Sequence, residues 1–145
     1  MLYQRSEGRI EVLLVHPGGP FWRNKDEGAW SIPKGLCDEG EDPLTSARRE
    51  FEEETGHRPS GEFVPLGEFK QPGGKLVLAY SVEGSFDPSA LTSNLFSIEW
   101  PPKSGTLKEF PEVDRAAWFT PDEARRKLVR GQVPILETLL RQLAS

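Results

Sequence analysis

Residues 35–57 read GLCDEGEDPLTSARREFEEETGH and contain the strongest local pattern in the chain. Within this stretch, Asp42 can accept hydrogen bonds from the free N–H groups that begin a helix, and Pro43 suits the first helical position. Gly56 supplies the left-handed residue that commonly ends a helix. These signals predict a helix over residues 43–55, preceded by an acidic loop.

The predicted helix has two different sides. At about 100° per residue, one arc is apolar and consists of Leu44, Ala47 and Phe51. A second arc carries three carboxylates, those of Glu50, Glu53 and Glu54. Glu52 points away from this second arc, while Arg49 stands four residues before Glu53 and can orient its carboxylate. We expect the apolar arc to pack on a sheet, which places the acids at the edge of the packed surface.

The acidic charge of the chain is concentrated around this helix. Residues 38–54 contain eight acids and two arginines, a charge of −6, whereas the whole chain carries −5. Such clustering is unfavourable unless a cation or hydrogen-bond donors neutralise it. The helix alone leaves two interpretations open: a metal site, or a solvent-exposed face on which each repulsion costs only ~0.2–0.5 kcal/mol.

The segment before the helix favours the metal site. Residues 30–32 read as a short strand that ends at Pro33, and Lys34 and Gly35 follow it directly. A glycine allows close backbone approach and can offer its carbonyl oxygen to a metal, while Lys34 can contact phosphate oxygens that the same metal binds. Oxygen ligands favour Mg²⁺ or Mn²⁺. The pattern is that of a magnesium-assisted phosphoryl-transfer site.

Composition limits the class of protein. The chain has 145 residues with 36% hydrophobic and 28% charged content, which predicts one domain over residues 1–145. Its apolar runs are far shorter than the ~20 residues that cross a bilayer, and its start lacks a signal-peptide pattern, so we expect a cytoplasmic protein without a membrane span. One cysteine and two histidines disfavour a thiolate or imidazole metal site. The net charge disfavours non-specific nucleic-acid binding.

Turn signals divide the remainder into short strands and helices, which indicates a mixed α/β fold. Strands are predicted at residues 2–4, 12–16, 30–32, 63–69, 76–82, 96–100 and 115–119, with 63–69 and 76–82 forming an antiparallel hairpin. A capping box at Thr120 and Glu123 predicts a helix to about residue 129. The apolar spacing after Pro134 predicts a last helix over residues 134–143.

Residues 35–57 resemble the Nudix box of the Nudix hydrolases. The match runs Gly35-x5-Glu41-x7-Arg49-Glu50-Phe51-x-Glu53-Glu54-x-Gly56-His57 and includes every charged and glycine position of that box. Phe51 is larger than the usual aliphatic residue, and His57 is polar where an apolar residue is usual. The element order resembles the family's α/β/α sandwich with a mixed sheet, in which residues 35–57 form the catalytic loop-helix-loop. Because related proteins usually have more residues before their first strand, the strand at 2–4 is expected to fray.

The resemblance implies an enzyme, a pyrophosphohydrolase that uses Mg²⁺, with Mn²⁺ as a possible substitute. It implies metal ligands at Gly35, Glu50, Glu53 and Glu54. It also implies a catalytic set that consists of Glu53, Glu54, the orienting Arg49 and a water-activating base outside the box. Glu112 is the preferred base, because its position resembles that of a glutamate in dinucleoside polyphosphate hydrolases, and Glu99 and Glu109 are the alternatives. Glu41 is expected to support this set, because it precedes the helix.

The predicted partner is a small-molecule nucleotide substrate. Trp30 and Lys34 are candidate substrate-binding residues, because Trp30-x-x-Pro33-Lys34-Gly35 resembles the corresponding segment of dinucleoside polyphosphate hydrolases. We therefore expect a nucleoside or dinucleoside polyphosphate, similar to diadenosine tetraphosphate. Pro72 stands 15 residues after the box, a spacing that resembles that of ADP-ribose pyrophosphatases, so ADP-ribose or another nucleotide sugar is an alternative. A catalytically idle Nudix-fold binding module is another. Phe21, Trp22 and Trp30 could stack on a base, and packing in the core or in a loop is the alternative for each of them.

Overall fold

The computed structural model describes residues 1–33, 42–70, 74 and 76–144. Its strands are β1 Leu2–Ser6, β2 Arg9–Pro17, β3 Val64–Lys70, β4 Leu76–Glu83, β5 Leu95–Glu99, β6 Leu107–Pro111 and β7 Val113–Phe119. Its helices are α1 Pro43–Thr55, α2 Pro121–Lys127 and α3 Val133–Ala144, with 3₁₀ turns at Pro88–Ala90 and Arg130–Gln132. Within the described ranges, none of the helices has the length and apolar character needed to cross a bilayer.

Five strands form a mixed sheet in the order β3-β4-β1-β2-β7. Strand β1 lies at its centre, where Tyr3 pairs with Val12 of the antiparallel β2 and Leu2 pairs with Val82 of the parallel β4. Strands β5 and β6 pair only with each other among the described residues, in an antiparallel ladder. The β5–β6 hairpin therefore stands beside the main sheet as a separate unit.

Alternation along β2 sends its side chains into two cores. Val12 and Leu14 belong to a core shared with α2 and α3, whereas Leu13 belongs to a second core shared with α1. All three side chains are fully buried. Helices therefore cover both faces of the sheet, and the predicted α/β/α sandwich is confirmed.

Helix α1 has the bounds that its sequence predicts. The Asp42 carboxylate accepts a hydrogen bond from the Thr45 N–H at 3.1 Å, and Pro43 occupies the first turn. Gly56 adopts φ 77° and donates its N–H to the Glu52 carbonyl at 2.7 Å. The capping box at the start of α2 and the antiparallel pairing of β3 with β4 are confirmed as well.

The expectation of a frayed first strand is wrong. Leu2 is fully buried and Tyr3 nearly so, because β1 fills the gap between β2 and β4 and its side chains enter both cores. Fraying was inferred from the short start of the chain. Pairing on both edges outweighs that effect, since it satisfies backbone groups that an end strand leaves free.

Two other predictions are corrected by long-range pairing. Residues 30–32 make isolated bridges, Ser31 with Val15 and Trp30 with Leu128, instead of a regular strand. The segment after residue 99 turns and returns as β6, which the sequence analysis did not predict. Its pattern is short, exposed and ends at Pro111, so nothing local marks it as a strand until β5 lies beside it.

The end of α1 provides a test of this packing. An added Cβ at Gly56 would lie 2.9 Å from Thr92 Cβ and 3.0 Å from Thr92 O, whereas the same addition at Gly8, also at φ 77°, meets nothing within 4 Å. We expect Gly8→Ala to lower the free energy of unfolding by about 1–2 kcal/mol through its backbone conformation alone. Gly56→Ala should cost at least about 1 kcal/mol more. Equal losses in urea unfolding would show that Thr92 moves aside without cost.

Candidate active site

Helix α1 is held against the sheet in one rotational setting. Phe51 is 3% exposed and packs in the second core with Leu13 and Val82. The Thr55 hydroxyl donates to the Phe51 carbonyl at 2.7 Å, and the Thr55 carbonyl accepts from the Thr92 N–H at 3.0 Å. Because this side of the helix is buried, the carboxylates of Glu50, Glu53 and Glu54 on the neighbouring side lie at the rim of the sheet. We call these three acids the carboxylate arc.

Two of those carboxylates share one guanidinium. Arg49 Nη1 lies 3.0 Å from Glu50 Oε1 and 3.2 Å from Glu53 Oε1, and it donates hydrogen bonds to both oxygens of Glu53. The Glu50 side chain is 17% exposed and that of Glu53 is 36% exposed. Burial raises the pKa of Glu50, and the negative charge of Glu53 raises it further, while Arg49 opposes the shift. Arg49 thus only partly offsets the combined effect of burial and of the neighbouring Glu53 charge on the pKa of Glu50.

Glu54 and Glu52 lie in different surroundings. Oε2 of Glu54 is buried at the third position of the carboxylate arc. Glu52 points away from that arc, as predicted, and accepts a hydrogen bond from Arg58 Nε. The helix therefore carries three acids at the rim of the sheet and a fourth that belongs to a separate surface ion pair.

The carboxylate arc fits a divalent metal in its chemistry. Its donors are carboxylate oxygens, which suit Mg²⁺ or Mn²⁺, and one of those oxygens is already removed from water on Glu54. Among the residues that the structure describes, no three His, Cys, Asp or Glu side chains are gathered closely enough to form a complete metal cage. The arc is therefore one part of a candidate site, and further ligands have to come from water, substrate or the rest of the chain. The predicted ligand Gly35, the predicted phosphate contact Lys34 and the supporting Glu41 lie outside the described residues.

The structure brings Glu112 close to this helix through the backbone. The Asn94 N–H donates to the Glu53 carbonyl at 3.0 Å, and the Glu112 N–H donates to the Asn94 carbonyl at 2.8 Å. The Glu112 side chain is exposed. Residues 92–94 thus join the end of α1 to the start of β7. The sequence analysis missed this connection, because a Thr-Ser-Asn segment carries no local signal of what it will contact.

Trp30 lies in the core instead of on a binding surface. It is 4% exposed, its ring meets the edges of His16 and Phe119 at 5.2 and 5.0 Å, and its Nε1 donates to Asp26 at 2.8 Å. Arg115 covers the ring at 5.3 Å from its centroid. Because so little of the ring is accessible, the structure supports packing in the core for Trp30 over base stacking.

Comparisons with known proteins agree with this architecture. The profile of the NUDIX domain matches residues 1–139. Nudix hydrolase 7 of Arabidopsis thaliana is 33% identical over 101 residues, covering 63% of this chain and 34% of that protein. An RNA pyrophosphohydrolase of Caulobacter vibrioides is 44% identical over 52 residues, covering 32% of this chain and 30% of that protein. The matched part of the chain thus spans about a third of the length of these relatives.

Solved structures show the same fold at low sequence identity. An Ap4A hydrolase of C. elegans in a binary complex superimposes with a TM-score of 0.69 at 19% identity, covering 99% of this chain and 94% of that one. The NUDIX domain of Shewanella oneidensis NrtR, complexed with ADP ribose, gives 0.65 at 18% identity, covering 98% and 83%. The extent of the profile match, together with an α1 that carries the acids of the box at the rim of such a sheet, shows that the chain belongs to the NUDIX domain family.

Proposed function

We propose that this protein hydrolyses a pyrophosphate linkage in a nucleoside or dinucleoside polyphosphate with the help of Mg²⁺. The observation that carries the proposal is the carboxylate arc, in which Glu50 and Glu53 share Arg49 and Glu54 holds a buried oxygen. A partly buried arc of like charges calls for a cation, and a cation at that position can also bind the phosphates of a substrate. Membership of the NUDIX domain family supports the same reaction class.

The metal would be held by Glu50, Glu53 and Glu54, with the Gly35 carbonyl as a further ligand. When bound, it supplies charge that polarises the pyrophosphate and favours ionisation of a water molecule. Arg49 has a positioning role, because its two contacts set the orientation of the Glu50 and Glu53 carboxylates before a metal arrives. The protein thereby presents acceptor oxygens in a fixed arrangement and avoids ordering them during the reaction.

Glu112 is the proposed base that accepts a proton from the attacking water. Its backbone is two hydrogen bonds from the Glu53 carbonyl, through Asn94, and its side chain is exposed and therefore able to reach a solvent molecule. A carboxylate outside the metal arc suits this role, since it keeps its charge while the arc is occupied by the metal. Glu112→Gln should lower kcat more than it changes KM if the role is correct.

Four-phosphate nucleotides are the proposed substrates, with ADP-ribose as the second candidate. The proposal of a longer chain rests on Lys34, whose charge beside the metal site would contact additional phosphates. It is supported by the similar fold of an Ap4A hydrolase, which aligns over nearly its whole length. ADP-ribose is retained because a NUDIX domain of similar fold is complexed with it. The Pro72 feature that also suggested ADP-ribose lies outside the described residues.

Charge-neutral substitutions on α1 test the reaction class. Glu53→Gln and Glu54→Gln retain side-chain shape but remove a metal-binding charge, so we expect metal-dependent turnover to fall about 100-fold or more. The matched control is Glu52→Gln on the same helix, which faces Arg58 and should retain turnover within about 2-fold, as expected for a surface pair. Turnover is measured by phosphate-product analysis with diadenosine tetraphosphate, nucleoside triphosphates, ADP-ribose and triphosphorylated RNA. Equal effects of all three variants, or wild-type protein inactive on every substrate, would contradict the proposal.

Stability without metal tests the repulsion within the arc. The folded-state pKa of Glu50 is raised, so its contribution to stability is full below the unfolded pKa of about 4.3 and is lost as pH rises through the folded value. In a chelator, Glu50→Gln should therefore melt above the wild type at pH 8, and this advantage should shrink towards pH 4.

Millimolar Mg²⁺ should reverse that order at pH 8. Binding to the native state adds about 2.7 kcal/mol at a metal concentration 100-fold above Kd, and Glu50→Gln should lose most of this gain. Glu52→Gln is again the control and should respond as the wild type does. A wild-type melting temperature unaffected by saturating Mg²⁺ and Mn²⁺ would argue against a metal site on α1.

A further inference from the structure

Three aromatic residues lie where the loop after β2 meets the β5–β6 hairpin: Phe21 and Trp22 are exposed and Trp100 is half-buried. We call these three residues the aromatic surface. Phe21 is 57% exposed and Trp22 is 40% exposed. The ring of Phe21 meets that of Trp100 edge-on, with centroids 5.3 Å apart and an interplanar angle of 81°. Large aromatic side chains in water are unfavourable by themselves, and a grouped set of them is typical of a binding surface.

The hairpin presents one of its two faces to this loop. Alternation along β5 places Phe96, Ile98 and Trp100 on the same face. An added Cβ at Gly19 would lie 2.8 Å from the Phe96 ring, so this face packs directly under the loop. Leu107 of β6 pairs with Glu99 and therefore belongs to the opposite face, where it is 73% exposed.

Backbone contacts hold the loop and the hairpin in place. The Gly18 N–H donates to the Glu112 carbonyl at 2.9 Å, and an added Cβ there would lie 1.9 Å from the Pro111 carbonyl oxygen. The far end of the loop is fixed at the Lys25 carbonyl, which lies 2.6 Å from Nε2 of the buried His16. The backbone that carries Phe21 is thus held at both ends of the loop, which limits the conformational entropy lost when a ligand stacks on its ring.

The turn that follows Trp100 carries a cation, Lys103. The turn after Trp100 is closed by hydrogen bonds from the Trp100 N–H to the Thr106 carbonyl at 2.9 Å and from the Ser104 N–H to the Pro101 carbonyl at 3.0 Å. Within this turn Lys103 adopts φ 62°, a left-handed conformation that the tight turn imposes. A lysine on the turn that follows Trp100 and a neighbouring exposed ring, that of Phe21, together suit a ligand that is both planar and anionic.

The loop and the hairpin are also connected to helix α1, which carries the carboxylate arc. Strand β5 begins directly after Asn94, whose N–H donates to the Glu53 carbonyl, and the loop is bonded to Glu112, whose N–H donates to the Asn94 carbonyl. Five strand residues separate this junction from Trp100, a distance of at most about 20 Å. A ligand bound to the aromatic surface can therefore extend towards α1 only if a chain of several atoms connects its planar part to its reacting part.

We propose that Phe21 and Trp100 bind a nucleobase of the substrate, with Lys103 contacting an attached phosphate; this inference rests on the function proposed above. The base stacks on the aromatic surface, and the polyphosphate runs from there to the carboxylate arc. The separation favours substrates in which several phosphates lie between the base and the bond that is cleaved. The aromatic surface thereby selects a class of substrate that the acids of α1 cannot distinguish.

Nucleoside monophosphates test this site without any need for turnover, since they contain no phosphoanhydride bond. Binding of AMP, GMP, CMP and UMP is compared with that of ribose 5-phosphate, which lacks the base, by NMR titration of the full chain. A stacked base should tighten binding by about 5- to 150-fold over ribose 5-phosphate. Phe21→Ala and Trp100→Ala should abolish this difference, while Trp100→Phe should restore part of it.

Leu107→Ala is the matched control, because Leu107 is exposed on the opposite face of the same hairpin. It should retain the full preference for the base, and melting temperatures of all variants verify that the hairpin still folds. Phe21→Ala remains decisive if Trp100→Ala fails to fold, since the Phe21 side chain is mostly exposed. With diadenosine tetraphosphate, Phe21→Ala should raise KM and leave kcat nearly unchanged.

The inference is overturned if no monophosphate binds more tightly than ribose 5-phosphate, or if Phe21→Ala and Leu107→Ala have equal effects. Its failure is distinguishable from failure of the proposed reaction. If the wild-type protein shows no preference for the base but has normal Mg²⁺-dependent turnover, only the aromatic surface is refuted. Turnover that is insensitive to Glu53→Gln and Glu54→Gln refutes the reaction at α1 and leaves the binding result standing.

Discussion

Burial of one side of α1 is the constraint on which the candidate site depends. Phe51 is nearly inaccessible in the core beneath the sheet, and the helix cannot rotate without exposing it. Losing that burial would cost roughly 1.5–3 kcal/mol, and the hydrogen bond from the Thr92 N–H to the Thr55 carbonyl holds the same end of the helix. The positions of Glu50, Glu53 and Glu54 therefore follow from packing, even though their mutual repulsion opposes it. The ring of Phe51 is larger than the usual aliphatic residue, so its burial fixes the rotation of α1 more strongly.

The electrostatic consequence is repulsion between the carboxylates of the arc when no cation is bound. Two charges ~6 Å apart repel by roughly 3 kcal/mol at an effective dielectric of ~20. Arg49 relieves part of this repulsion through its contacts with Glu50 and Glu53, yet the pKa of Glu50 still rises because burial removes water from its carboxylate. Keeping the Glu50 and Glu53 carboxylates next to each other therefore lowers the stability of the folded protein, as is common at functional sites.

The sequence predicted those elements whose ends are determined by residues within or next to the element. The bounds of α1 follow from Asp42, Pro43 and Gly56, and the α2 capping box is a four-residue pattern, so both are visible in sequence. The central place of β1, the return of the chain as β6 and the core position of Trp30 depend on partners far away in the sequence. The contact of Asn94 with Glu53 has the same origin. For the site, the residues of the arc were predictable and the segment that joins them to Glu112 was not.

Residues 92–94 connect the carboxylate arc, where the proposed reaction takes place, to the hairpin that carries part of the aromatic surface. Residues 92–94 bond to the end of α1 and to the start of β7, and β5 grows directly from them. These links use mainly backbone groups, whereas the proposed selectivity resides in the side chains of Phe21 and Trp100. A change of those side chains alters the stacking surface but leaves every hydrogen bond between Asn94, Glu53 and Glu112 in place. The fold can therefore exchange one planar ligand for another without disturbing the carboxylate arc, whose geometry is set on the far side of the same junction.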